Sequence, residues 1–261
     1  MNVTAVRNQI PCVVENSQRK SSRDQIIRQI AVKTFAEFAV SFLLATVVCC
    51  FVTTPMGIAT VFTALAIQTA CHFFLRVVQA RKANSLTPIG FTYFSGTNFQ
   101  TLTHEMGHAL AANAVYASGN PRIELFPFNG GVTGYHPQKL TPFGQKLGKT
   151  GSAFFVAAAG ARLTLIISAL ILSLGLILRK KCPTLAEYFI SYAAWDFFYH
   201  AFYAASALSP IQQGNLTHDF VYLSKLGLSP LHSAIGLLAF PILLTVNLSL
   251  LQRSPKRPRF I

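Results

Sequence analysis

Two histidines and one glutamate fall within the five-residue stretch 104–108, which reads HEMGH. On an α-helix, residues four apart project from the same face, so His104 and His108 can bind one metal ion together. Neutral imidazoles suit zinc, and a catalytic zinc site needs a third protein ligand and an open position. Glu105 lies next to His104, where it can take a proton from a water molecule activated by the metal. The spacing therefore predicts a zinc-dependent hydrolytic site with Glu105 as general acid and base.

The motif lies in a chain of 261 residues that is 52% hydrophobic and 11% charged. A soluble domain carries about 25% charged residues, and a helix that crosses a membrane needs roughly 20 apolar residues. Apolar stretches of about this length lie at 34–53, 56–75, 154–178, 185–208 and 231–251, and a weaker one at 97–117 contains the motif. We therefore expect an all-α integral membrane protein with about six transmembrane helices. Ionisable residues in such a helix indicate a functional site.

Composition divides the chain into four segments. They are a basic polar N-terminal tail (1–33), an N-terminal transmembrane helical hairpin (34–82), a membrane core with the motif (95–225), and a C-terminal transmembrane helix with a basic tail (231–261). Within the first hairpin, Thr-Thr-Pro at 53–55 leaves room for a tight helical turn and little else. Within the core, Asn-Gly-Gly at 129–131 lies between two short strand-like runs, which predicts a short β-hairpin after the motif helix.

The net charge of +14 is concentrated beside the apolar stretches. Basic residues precede the first apolar stretch. They also follow the second stretch, the stretch that ends at 178 and the last stretch, as is typical of cytoplasmic loops. With six spans, all these basic clusters lie on the same side of the membrane as both termini. Four basic residues between 122 and 149 then lie on the opposite side. We therefore expect cytoplasmic termini, no cleaved signal peptide and no nucleic-acid partner. A bacterial inner membrane fits this pattern, with eukaryotic organelle membranes as the alternative.

The motif and the residues after it resemble a known family. The run HEMGHALAANAVYASG, followed by FNGGVTGY, is similar to the membrane-embedded zinc metalloproteases of the site-2 protease class. AAAGARLT stands in place of that family's Ala-Gly-Pro-x-x-Asn element, with Ala161 and Thr164 where proline and asparagine often occur. The resemblance covers 95–225 and implies a metalloprotease-like membrane core. It also implies hydrolysis of a peptide bond in or near a transmembrane segment, so the partners would be a transmembrane protein substrate and the lipid bilayer.

Several residues compete for the third metal position. Of the eight acidic residues, Asp196 and Asp219 remain once Glu105, the proposed base, and those in the tail, the β-hairpin and the starts of spans are set aside. The resemblance implies an aspartate near a proline-containing turn, which SPIQQGNLTHDF matches at Asp219. Asp196 is the rival, because in AWDFFYH it precedes His200 by one helical turn. Asp196 could instead form an internal Asp–His hydrogen bond or orient a metal-bound histidine. His200 and His218 are further alternatives.

Two other functions are compatible with the same residues. A transporter or other divalent-cation-handling protein could bind a passing ion through the His/Asp cluster, although polar residues between the clusters are sparse. A non-catalytic membrane scaffold could keep the fold, and even the metal, without hydrolysis. The histidines and glutamate of the motif could also pair within the helix bundle without any metal.

Overall fold

The computed structural model describes residues 10–83, 94–127 and 130–253, which form seven α-helices and one two-stranded sheet. In chain order these are α1 (Ile10–Cys49), α2 (Pro55–Ala83), α3 (Phe94–Val115), β1 (Arg122–Phe126), β2 (Gly130–Gly134), α4 (Pro142–Leu178), α5 (Pro183–Ser206), α6 (Asp219–Lys225) and α7 (Pro230–Arg253). The expected β-hairpin after the motif helix is confirmed. Asn129 of its expected turn and the basic residues beyond 253 lie outside the described residues.

Among the described residues, four helices are long and apolar enough to cross a membrane, judged by length and composition. The qualifying segments are Asp24–Cys49, Pro55–Phe74, Pro142–Leu178 and Pro230–Leu250. The stretches expected at 97–117 and 185–208 do form helices, α3 and α5, but neither is among the four, so a total of six spans is not confirmed. The polar motif of α3, and Glu187, Asp196 and His200 of α5, lower the mean hydropathy of these two helices.

The four apolar helices direct large hydrophobic side chains outward. Phe35 of α1 is 72% exposed and Leu170 of α4 is 65% exposed. In α7, 6% of the apolar segment is buried inside the protein, so most of its surface is apolar and uncovered. Exposed apolar area is unfavourable in water by about 25 cal/mol per Å². A continuous surface of this kind is compatible with a hydrocarbon environment.

The first two helices pack as the tight hairpin that residues 53–55 predict. α1 begins at Ile10, inside the segment expected as a polar tail, and continues into the first apolar stretch without a break. Between the helices, Glu37 forms an ion pair with Arg76 and lies 3.3 Å from Nδ1 of His72. All three side chains are buried. Because an unpaired buried charge is costly, these contacts hold α1 and α2 together.

The β-hairpin is antiparallel, with Glu124 of β1 opposite Val132 of β2. β1 is fixed to the connection between α1 and α2. The Leu125 backbone N–H donates to the Phe51 carbonyl oxygen at 3.1 Å, and the Thr53 hydroxyl donates to the Glu124 carboxylate at 2.9 Å. β2 packs against α3. The hairpin therefore lies at the same end of the helix bundle as the α1–α2 connection.

α4 occupies the centre of the bundle and contacts α3, α5, α6 and α7. Its N-terminus is capped by Thr141, whose hydroxyl accepts a hydrogen bond from the Gly144 N–H at 3.0 Å. Gly148 has φ of 71°, so α4 consists of a short N-terminal segment and a long apolar segment joined at a kink. The buried face of the long segment includes the small residues Ala157 and Gly160. Small residues allow neighbouring helices to approach closely.

Candidate metal centre

The HEMGH motif lies on α3, as its spacing predicts. His104 and His108 project from one face, and their Nε2 atoms are 3.0 Å apart. Both imidazoles and the Glu105 side chain are buried. This arrangement follows from helix geometry, because residues four apart lie one above the other on the same face.

Two glycines allow α3 and α4 to approach closely at this turn. A Cβ at Gly107 of α3 would lie 2.4 Å from the carbonyl oxygen of Ala159 in α4. A Cβ at Gly160 of α4 would lie 2.4 Å from Nε2 of His108 and 2.7 Å from Nε2 of His104. Real Cβ contacts are longer than this, so the position of both imidazoles requires glycine at 160. The glycine of AAAGARLT therefore provides the backbone surface on which the two rings pack.

Asp219, the first residue of α6, brings a carboxylate to the two histidines. Its Oδ2 lies 2.7 Å from Nε2 of His104 and 3.2 Å from Nε2 of His108. The Tyr203 hydroxyl of α5 accepts a hydrogen bond from the Asp219 N–H at 3.3 Å, which helps to place the start of α6. Of the four candidates for the third position, Asp219 joins the histidine pair, and the three ligand atoms all lie within 4.8 Å of one another.

Hydrogen bonds behind the imidazoles determine which nitrogen of each ring can bind a metal. Nδ1 of His108 lies 2.8 Å from the Val156 carbonyl oxygen, which can only accept, so this nitrogen carries the proton. Nδ1 of His104 lies 3.3 Å from Nε2 of His200. Nδ1 of His200 lies 3.0 Å from the Asp196 carbonyl oxygen and carries the proton for the same reason. In their neutral forms, His200 accepts at Nε2, His104 donates from Nδ1, and both motif histidines present an unprotonated Nε2.

Three hydrogen-bond acceptors thus meet at one point, namely the two Nε2 atoms and Oδ2 of Asp219. Acceptors this close repel one another unless a proton or another cation lies between them. A tetrahedral zinc site with bonds of about 2.0–2.1 Å places neighbouring ligand atoms roughly 3.3 Å apart. The observed separations of 2.7, 3.0 and 3.2 Å are slightly shorter, and small side-chain rotations would close the difference. The residues therefore fit a divalent metal ion.

The surroundings keep the Asp219 carboxyl ionised. Burial alone would raise the pKa of Asp219, but the adjacent His104 and His108 rings lower that pKa below the ordinary value of an aspartate. A metal cation at the same point would act in the same direction. The carboxylate, which is the form that binds metals, is therefore present at neutral pH.

Glu105 is held by the β-hairpin. The Thr133 hydroxyl lies 2.7 Å from Oε2 of Glu105 and 3.0 Å from its backbone carbonyl oxygen. Gly131, two residues earlier in β2, lies so close that a Cβ there would be 2.8 Å from Cγ of Glu105. Residues two apart in a strand share one face, so the inner face of β2 packs directly on Glu105.

A cavity of about 380 Å³ lies beside the motif. His104 and Glu105 of α3 line it, as do the hairpin glycines Gly130 and Gly131. The rest of its wall is mostly polar and comes from α3, α5 and the connection to α6: Thr101, Tyr199, His200, Tyr203, Gln212, Asn215, Thr217 and His218. Hydroxyl, amide and imidazole groups can hydrogen-bond to water or to a peptide backbone. His104 and Glu105 therefore face one shared space.

The remaining candidates for the third position lie around the cluster. Oδ1 of Asp196 lies 3.1 Å from Nδ1 of His200, and the hydrogen bond of that nitrogen goes to the Asp196 backbone carbonyl, so the two residues contact each other beside the histidine pair. The His218 imidazole stacks on the Tyr203 ring, and its Nε2 lies 2.9 Å from the Ser206 hydroxyl.

Sequence reasoning missed the residues that support the motif from other elements. Thr133, Val156 and Tyr203 contact the proposed base, one histidine and the third candidate ligand through tertiary packing. One signal could have been used: GGVTG alternates so that Gly131 and Thr133 share a face of the strand.

Comparisons of the chain with protein-family models, with curated proteins and with solved structures find no match.

Proposed function

We propose that the protein is a zinc-dependent intramembrane endopeptidase that hydrolyses a peptide bond in or near a transmembrane segment of another membrane protein. The observation that carries the proposal is the convergence of His104, His108 and Asp219 next to Glu105, beside a polar cavity in a chain with four apolar helices. The resemblance of residues 95–225 to site-2 proteases points to the same activity.

His104, His108 and Asp219 would hold the zinc ion. When bound, zinc supplies a Lewis acid that polarises a peptide carbonyl and makes water more acidic. The two histidines offer Nε2 because their Nδ1 protons are engaged elsewhere. Asp219 contributes a negative charge, and its first position in a short helix next to α5 brings it to the histidines.

Glu105 is the proposed general acid and base. It takes a proton from the attacking water and returns it to the departing amine, so one water is consumed and a carboxylate and an amine are released. The Thr133 hydroxyl, 2.7 Å from Oε2, fixes the orientation of the carboxylate. The other carboxylate oxygen is then available for the transferred proton.

We also propose that α3 and α5 lie in the bilayer with the four apolar helices, which gives six spans. Both pack against α4, and Phe198 and Phe202 of α5 are exposed. The hydrogen bond from Leu125 to Phe51 places the β-hairpin, and the cavity it lines, at the end of the bundle with the α1–α2 connection. The basic residues 179–181 follow α4 at the other end, so the positive-inside rule assigns that end and both termini to the cytoplasm, as in a bacterial inner membrane.

The test compares wild type with Glu105→Gln, which keeps the side-chain volume but cannot act as a base. Each protein is expressed in a host, and new peptide termini in its membrane proteins are mapped by mass spectrometry. Wild type should produce new termini in or beside apolar segments, whereas Glu105→Gln should reduce their rate of formation by about 10²–10⁴-fold. Both should contain equal zinc. The proposal fails if wild type produces no new termini, or if Glu105→Gln produces the same ones.

A further inference from the structure

We propose that His200 is a positioning residue that sets the tautomer and orientation of His104 for metal binding, and that Asp196 and Ser168 hold His200 in place. The inference rests on the proposed metal site and assigns a role to three side chains outside it. They come from α4 and α5, whereas His104 lies on α3.

The contacts form a continuous chain of hydrogen-bonding groups. The Ser168 hydroxyl donates to Oδ2 of Asp196. Nδ1 of His200 lies 3.0 Å from the Asp196 carbonyl oxygen and 3.1 Å from its carboxylate Oδ1. Nε2 of His200 lies 3.3 Å from Nδ1 of His104. The chain runs from α4 through two residues of α5 to His104 on α3.

The direction of each hydrogen bond follows from the first. The oxygens of Asp196 near His200 can only accept, so Nδ1 of His200 carries a proton, and in the neutral ring Nε2 is then the acceptor. His104 then donates from Nδ1, which leaves its Nε2 lone pair directed at His108 and Asp219. The acceptor oxygens of Asp196 behind His200 therefore determine which nitrogen of His104 can bind a metal.

The burial of these side chains indicates that they contact one another and not solvent. Asp196 is 1% exposed, and Ser168 and His200 are also buried. A carboxylate in such a position is costly unless hydrogen bonds and opposite charge compensate it. Here the Ser168 hydroxyl donates to Oδ2, and Oδ1 lies 3.1 Å from Nδ1 of His200.

The two motif histidines are oriented by different means. His108 uses the backbone carbonyl of Val156, which no substitution removes, whereas His104 uses the side chain of His200. His200 contacts the Nδ1 side of the His104 ring, away from the Nε2 that meets Asp219. His200 therefore acts on the metal through His104 and is not a ligand in this arrangement.

The test uses the full-length protein in detergent and two substitutions of His200. His200→Gln places an amide oxygen near the position of Nε2 and can still accept from His104. His200→Leu has a similar volume and no acceptor. Zinc affinity is measured by competition with a chelator, and the visible spectrum of the cobalt(II) form reports the ligand set. His232→Leu changes an exposed histidine of α7 and is the control.

His200→Leu should weaken zinc binding by about 10- to 100-fold, with His200→Gln much closer to wild type and a tetrahedral cobalt spectrum in all variants. Equal zinc affinity in His200→Leu and wild type would overturn the positioning role and leave the metal site standing. A wild-type protein without zinc affinity would overturn the metal site and the positioning role together. If His200→Leu loses helical content, His200→Met takes its place, and unchanged zinc affinity in that variant would equally overturn the role.

Discussion

Replacing Gly160 with alanine should remove the metal while the helix bundle stays folded. The new Cβ would lie 2.4 Å from Nε2 of His108, and ordinary contacts begin at 3.4 Å, so the ring has to move by 3.4 − 2.4, about 1.0 Å. Metal–ligand distances tolerate changes of about 0.2 Å. The required movement is several times larger, so at least one histidine ceases to be a ligand.

The two consequences of Gly160→Ala differ in size. Loss of a ligand should weaken zinc binding by more than about 100-fold. Mutating a residue that only hydrogen-bonds to a metal ligand already weakens binding by about 10- to 100-fold. Folding of the metal-free protein should change little, since overpacking costs about 1–3 kcal/mol and alanine is favoured over glycine in a helix by about 1 kcal/mol. The atoms that must yield are the ends of side chains rather than backbone.

The assay is zinc content after dialysis against a weak chelator, together with thermal unfolding of the metal-free protein in detergent. Gly236→Ala in α7 is the control, because its Cβ would have no atom within 4 Å. Gly107→Ala should destabilise the fold as well, since its Cβ would lie 2.4 Å from the backbone oxygen of Ala159. A Gly160→Ala protein that binds zinc as tightly as wild type would refute the proposed positions of the ligands.

Three further predictions follow from the contacts around the site and in the first hairpin. Thr133→Val should slow peptide hydrolysis by about 10- to 100-fold through loss of one hydrogen bond to a charged group, with zinc content unchanged. An unchanged rate would show that the contact is not needed. Zinc affinity should fall as the pH is lowered from neutral, because protons compete for the ligand histidines. The lowered pKa of Asp219 keeps that carboxylate ionised until the pH is lower still. Chelator competition across this pH range shows whether protonation of the histidines weakens zinc binding before Asp219 is protonated. A zinc affinity that does not change with pH would contradict competition between protons and zinc for the histidines. Glu37→Gln should destabilise the protein by about 3–5 kcal/mol by leaving Arg76 buried without its partner. Glu187→Gln, which removes a partly exposed ion pair, should cost at most about 1 kcal/mol, and equal melting temperatures for the two variants would contradict this difference.

Local spacing was sufficient to predict the histidine pair. His104 and His108 are four residues apart on one helix, and the distance between their Nε2 atoms is a property of that helix. The turn at 53–55 and the strands around Gly130 are likewise short-range features with recognisable turn residues. The choice of Asp219 over Asp196 needed the family resemblance, because no local pattern joins α6 to α3.

Contacts between distant elements could not be predicted from the sequence. Thr133 meets Glu105, and His200 meets His104, because of how β2 and α5 pack against α3. The expected total of six spans is not confirmed, because four of the described helices are long and apolar enough to cross a membrane. α3 and α5 carry the polar residues of the site and its support, and these same residues reduce their resemblance to apolar membrane helices.

Zinc content of the purified full-length protein tests the metal centre most directly, measured for wild type and for Asp219→Asn and Asp196→Asn. Wild type should bind about one zinc per chain. Asp219→Asn should lose it, whereas Asp196→Asn should still bind zinc, with lower affinity. A folded wild type without zinc, or zinc that survives Asp219→Asn and disappears with Asp196→Asn, would contradict the assignment of His104, His108 and Asp219 as the ligands.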